Sequence, residues 1–146
     1  MAGEQRTTVP VRTLRIVRTF DAPRDLVFRC WTEPEHLVRW MSAKDWMTPS
    51  ARTDLRRGGE FHIQMAPADR SHEGFDMYGT YEELRAPERI VMRLGDGRLM
   101  TATFADRAGR TELTFTVEMA MSEEQERLGY TQILDKLEAH LAAGVR

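Results

Sequence analysis

Residues 122–143 read SEEQERLGYTQILDKLEAHLAA, and this stretch, from Ser122 to Ala143, decides the architecture. Ser122 followed three residues later by Gln125 has capping-box spacing, and Glu123 and Glu124 fall in the first turn, where the helix dipole favours anions. Tyr130, Ile133, Leu134, Leu137 and Leu141 recur at steps of three and four, so they share one stripe of a helix. Glu126, Arg127, Asp135, Lys136 and Glu138 are assigned to the opposite, wet face, and Gly144 to the stop. A helix of about 22 residues is roughly 33 Å long. No other stretch offers a helix of that length, so its apolar stripe must rest on strands.

Those strands lie upstream. Val11 to Phe20 alternates and contains Leu14, Ile16 and Val17, which favours a strand. Asp21-Ala22-Pro23 then opens a short helix to about Trp31, with Asp21 free to cap and Val27, Cys30 and Trp31 on its buried side. Thr32-x-x-Glu35, with Pro34 inside it, starts a second short helix carrying Leu37, Trp40 and Met41. The two form an elbow. From Lys44 onward the texture is strand and turn. Gly58-Gly59 punctuates a turn with a bulge. Inward parities follow in Phe61, Ile63 and Met65, then in Phe75, Met77 and Tyr81, then in Ile90, Met92 and Leu94. Gly95-Asp96-Gly97 marks a tight hairpin. Met100, Ala102 and Phe104, and finally Leu113, Phe115, Val117 and Met119, complete the series. The expected fold is α+β, a curved antiparallel sheet of six or seven strands gripping the long closing helix, with two short helices after the first strand. Gaps between a curved sheet and a straight rod are where cavities arise.

Composition sets the bounds. A chain of 146 residues suits one domain, here residues 11–146 behind a flexible leader, 1–10. Met1 to Thr8 lacks the apolar core of a signal peptide. The single cysteine rules out an internal disulfide and suits a reducing compartment, so a cytoplasmic location is expected. Twenty-one basic against twenty-three acidic residues gives a formal charge of −2, with no basic block. That argues against nucleic acid as a partner, and the absence of a long apolar run argues against a membrane span.

Five stretches together resemble a known family. They are Asp21-Ala-Pro-Arg-Asp-Leu-Val-Phe28, Trp31-Thr-Glu-Pro-Glu-His-Leu-Val-Arg-Trp40, Asp54-Leu-Arg-Arg-Gly-Gly59, Gly79-Thr-Tyr-Glu-Glu-Leu84, and the closing Gly129-Tyr130 with Leu134 and Leu137. In that order they resemble the family named for the activator of heat-shock-protein-90 ATPase, within the START-like, helix-grip superfamily (SRPBCC) that includes the birch pollen allergen. The family usually places Trp after the closing Gly, where this chain has Tyr130. The resemblance implies a helix-grip fold with a hydrophobic cavity under the terminal helix. It does not carry the chaperone activity in the family's name, because the additional N-terminal domain of the eukaryotic activator has no counterpart in these residues.

Site residues are expected on the inward parities of the sheet and the stripe of the last helix. From the sheet and elbow come Trp31, Trp40, Ile63, Met65, Phe75, Met77, Tyr81 and Met92. From the helix come Tyr130, Ile133, Leu134 and Leu137. Methionine's flexibility suits a pocket for apolar ligands, and Tyr81 and Tyr130 each bring a hydroxyl that a ligand's polar end would satisfy. Trp40 and Tyr130 are expected to meet at the mouth. No catalytic residue, metal site or cofactor is assigned. His62 reads as a half-exposed structural histidine, and His72-Glu73 has no ligand partner at metal spacing. Cys30 reads as an inert buried thiol without a placeable basic partner, and His140 as a cation suited to the helix C-terminus.

Three functions are therefore weighed. The favoured one is binding of a small apolar or amphipathic molecule between sheet and helix. The second is an enzyme of the polyketide cyclase or hydrolase type, which requires an acid–base pair in the pocket, with Tyr81, His62 and Glu60 as the residues to test. The third is a protein-interaction, chaperone-associated module using an exposed apolar patch around Trp40, Trp46 and Met47. A monomer or a homodimer is compatible with all three.

Overall fold

The computed structural model describes residues 12–146; the expected leader, 1–10, and the first residue of the expected opening strand, Val11, lie outside the described residues. The order of elements is β1 (Thr13–Phe20), α1 (Arg24–Thr32), α2 (Pro34–Trp40), β2 (Trp46–Thr53), β3 (Glu60–Pro67), β4 (Phe75–Arg85), β5 (Arg89–Leu94), β6 (Leu99–Arg107), β7 (Arg110–Glu118) and α3 (Glu123–Ala142). All strand pairs are antiparallel and form one seven-stranded sheet in the order β1-β7-β6-β5-β4-β3-β2. Consecutive strands are neighbours except the first, which crosses to pair with the last, Thr13 opposite Glu118 and Phe20 opposite Thr111. The sheet curls into half a barrel, with α3 across its concave side. It is a helix grip.

Alternation sorts the two faces of the sheet. Phe61, Ile63 and Met65, then Ile90, Met92 and Leu94, then Met100, Ala102 and Phe104, then Leu113, Phe115 and Val117 are all buried on the concave side. β2 is the strand that periodicity leaves hidden. It is an edge strand with Pro49 in it and a register shift between Met47 and Ser50, so neither its hydrogen bonds nor its side chains keep a clean period of two. A second shift, between Tyr81 and Glu83, stands beside the Gly58-Gly59 turn. There the Gly58 N–H donates to the Tyr81 carbonyl at 2.7 Å, and φ of +82° at Gly58 is why the position takes glycine.

The helix ends show which local signals were decisive. Ser122 is the N-cap of α3, its Oγ accepting from the Gln125 N–H at 3.2 Å. The two elbow caps are not formed as expected. α1 is capped by Pro23 and α2 by Glu33, neither through a side chain. Thr32 turns its hydroxyl back onto the Phe28 carbonyl at 3.0 Å, so it closes α1 instead of opening α2. Two cations tie α3 down. Arg18, on the concave side of β1, pairs with Asp135 at 2.7 Å and with Glu138. Lys136 donates to Ser42 Oγ at 3.0 Å and to the Trp46 carbonyl at 2.7 Å, so it is a tether and not part of a purely wet face. Among the described residues no helix is long and apolar enough to cross a membrane.

Candidate functional site

Between the N-terminal half of α3 and the concave sheet lies a cavity of about 550 Å³, within the range that takes a small organic ligand. Its walls come from one end of the sheet: the end of β3 (Met65), the start of β4 (Phe75 to Tyr78), the end of β5 (Leu94) and the start of β6 (Met100), with Phe115 beneath. Trp31 and Trp46 close it from the elbow side, and Gly129, Tyr130, Ile133 and Leu134 roof it. Phe75, Tyr78 and Met121 line the cavity and are still more than half exposed, at 55%, 55% and 57%, which locates the mouth. Phe75 rests against Trp46 with ring centroids 5.6 Å apart.

Of the residues expected there, Trp31, Met65, Phe75, Met77, Tyr130, Ile133 and Leu134 line this cavity. Trp40, Ile63, Tyr81, Met92 and Leu137 do not; all five are core. Alternation fixes which face a side chain takes but not its depth along the strand, and the far end of the concave face is filled. Tyr81 packs on Phe61 at 5.2 Å. Leu137 lies a turn further along α3, fully buried. Trp40 does not meet Tyr130. It stands edge-on to Trp31 at 5.1 Å and donates its indole N–H to the Cys30 carbonyl at 2.9 Å, while Tyr130 packs on Phe115 at 4.9 Å.

The polar groups of the cavity were assigned elsewhere or missed. Glu126 is 3% exposed, not on the wet face. Its Oε2 accepts from the N–H groups of Ala120 and Met121, both at 2.9 Å, and the Arg98 guanidinium stands 4.0 Å away. Its Oε1 has no hydrogen-bond partner among the described residues, and neither has the buried Trp31 Nε1. Both residues line the cavity. Spacing held the signal for Glu126, which lies four before Tyr130 and eight before Leu134, on the buried stripe; its charge concealed it. Burial, and then the Glu126 carboxylate, push the Tyr130 hydroxyl up to about 12, with Arg98 acting the other way. Tyr130 is therefore a neutral donor at physiological pH.

The other chemical groups sort away from this space. His62 lies in a wide groove of about 890 Å³ that also takes in Glu60, Arg52, Asp76 and Arg93. Its charges largely satisfy each other, as in His62 with Asp76 at 3.2 Å and Arg56 with Asp54 at 2.8 Å. Tyr81, His62 and Glu60 thus do not converge. The apolar patch expected at the elbow is reduced, since Trp40 is fully buried and Trp46 half-buried. Cys30 does have a basic neighbour: its Sγ is 3.7 Å from His36 Nδ1, which lies 2.9 Å from His140 Nε2. Burial pushes the Cys30 thiol up to about 12, so the pair is no thiolate nucleophile. Burial and His36 lower the pKa of His140, so it is a hydrogen-bonded neutral ring and not the terminal cation expected.

Comparison with known proteins agrees with this architecture. The profile of the family described as Activator of Hsp90 ATPase homolog 1-like protein matches residues 21–142. An AHSA1-like protein from Aeromonas hydrophila is similar over 89% of this chain and 93% of its own, with 31% identity and a TM-score of 0.79. A protein from Chromobacterium violaceum is 26% identical over 88% of this chain and 96% of its own, with a TM-score of 0.78. A protein from Nitrosomonas europaea, 23% identical over 94% of this chain and 100% of its own, shares the fold with a TM-score of 0.80. No curated protein matches the chain.

Proposed function

The chain belongs to the Activator of Hsp90 ATPase homolog 1-like family, and on that premise we propose that it binds a small amphipathic molecule between the sheet and α3. One observation carries the reading. An apolar cavity is bordered by two buried polar residues, each with an atom that finds no partner among the described residues: an acceptor on Glu126 and a donor on Trp31. Such atoms cost roughly 1–3 kcal/mol each while unmet, so a ligand that meets them gains what folding forgoes. A hydroxyl group can donate to Glu126 or accept from Trp31; an amine suits Glu126. A carboxylate would face the Glu126 oxygen, so acids are disfavoured. Met65, Met77 and Met100 give the walls the flexibility to accept chains of different shape.

The test is displacement of a lipophilic fluorescent dye from the purified protein, with native mass spectrometry to read stoichiometry. A single dye site is expected, emptied by straight-chain alcohols and amines more readily than by acids of equal length. Each added methylene should tighten binding about fourfold until the cavity is full. Gly129→Met, which puts a side chain into the roof, should abolish dye binding while the fold is kept. A folded protein that takes up no dye, or dye binding indifferent to Gly129→Met, would overturn the reading.

A further inference from the structure

We propose that the elbow and the last turn of α3 form a metal site, with Cys30 Sγ, His36 Nδ1 and His140 Nε2 as the ligands of one zinc ion. Among the described residues these three donor atoms lie within 4.8 Å of one another. They come from three elements: Cys30 from the end of α1, His36 from the first turn of α2 and His140 from the end of α3. The sequence hides the group, because the last ligand is more than a hundred residues from the others.

The geometry is close to what the ion requires. With bonds of about 2.3 Å to sulfur and about 2.0–2.1 Å to nitrogen, a tetrahedral centre places S and N about 3.6 Å apart and the two N about 3.3 Å apart. The observed separations are 3.7 Å for Cys30 to His36 and 2.9 Å for His36 to His140. The two rings must part slightly, and Cys30 Sγ and His140 Nε2, which lie within 4.8 Å of each other, must come to about 3.6 Å. His140 is half-exposed and at the end of its helix, so it is the ligand that moves. Of the charged neighbours, Arg29 near Cys30 and Arg39 near His140 oppose a cation, and Glu33 favours one. The other ring nitrogen of His36 faces the Glu33 carboxylate at 3.7 Å, just beyond hydrogen-bond reach; a small approach would complete the carboxylate–histidine arrangement that holds a metal-binding ring in its proper tautomer. Glu33 offsets the positive charge left when one thiolate and two neutral imidazoles hold a divalent ion.

Proton balance follows from the donors. The neutral thiol releases one proton as the Zn–S bond forms, and each imidazole keeps its proton on the nitrogen turned away from the ion. His36 then carries that proton on Nε2, towards Glu33. Three protein donors leave the fourth position to water on the half-exposed side of His140. A simple His–His hydrogen bond tying α2 to α3 is the competing account. It needs neither the thiol nor Glu33.

Cobalt(II), as a spectroscopic stand-in for zinc, separates the two. Chelator-treated protein titrated with Co²⁺ should bind one ion per chain and show thiolate-to-metal charge-transfer absorption, which Zn²⁺ then bleaches. Cys30→Ser should lose the charge-transfer band. Because Cys30 is buried, His140→Gln is the variant whose fold is least at risk, and it should weaken zinc binding more than Glu33→Gln does, the latter by roughly 10–100-fold. A folded wild-type protein without the charge-transfer band, or zinc affinity unchanged in folded His140→Gln, would overturn the site.

Discussion

Glu126 holds the chain where it turns into α3, taking two backbone N–H groups on one carboxylate oxygen. Glu126→Ala strands both donors in a buried place, so a loss of about 1–3 kcal/mol is expected from denaturant unfolding of the ligand-free protein. A loss below about 0.5 kcal/mol would mean that water reaches those amides. Tyr130 gives the pH dependence. Its hydroxyl titrates near 12 in the folded chain against 10.0 for the ordinary group. Between those values the unfolded chain has released a proton that the folded one keeps, so stability falls as pH rises through that window, by at most about 1.4 kcal/mol per pH unit from this group. Tyr81, also pushed upward by burial, adds to the decline in the same direction. Tyr130→Phe should flatten the loss between pH 10 and 12 relative to wild type, measured by denaturant midpoints; an unchanged slope would remove Tyr130 from the account. The charge of Glu126 and of Lys136 points to solvent, but each finds polar partners under the helix. Partners, not polarity, decided their burial.

At the scale of the element, α3 carries a glycine in its interior. Gly129 lies in the helix, lines the cavity, and a Cβ built there would meet nothing within 4 Å. Alanine at such a position is favoured by about 0.5–1 kcal/mol, so Gly129→Ala should raise the unfolding midpoint. The side chain is missing where the roof needs room, a helix-propensity cost that makes sense if the space is used. Destabilisation by Gly129→Ala would show that the helix needs its freedom there instead. Ser122→Ala removes the cap and should cost about 0.5–2 kcal/mol by the same measurement. This cap was legible because its partner, Gln125, is three residues away. The elbow caps were not, since the Thr32 hydroxyl donates back to the Phe28 carbonyl instead of accepting from an N–H ahead of it. β2 has no readable pattern in the sequence for a related reason: a proline and a register shift break the period of two that marks a strand.

For the whole molecule, the alternation from Phe61 to Val117 carried the sheet and the stripe of α3 carried the grip, so the fold could be read almost entirely. The cavity's position could not. Trp31, Met65 and Met77 line it while Trp40, Ile63 and Met92, equally apolar and equally inward, fill the core, and only the assembled curvature separates the two sets. The crossing of β1 to β7 has a further consequence. Thr13 finds its partner, Glu118, only at the far end of the sheet strands. On a ribosome β1 would wait, unpaired on that side, until β7 had emerged. Contacts so distant in sequence slow folding and expose strand edges meanwhile. This architecture thus favours closure of the sheet only once β7 is available over stepwise assembly from the first strand onward.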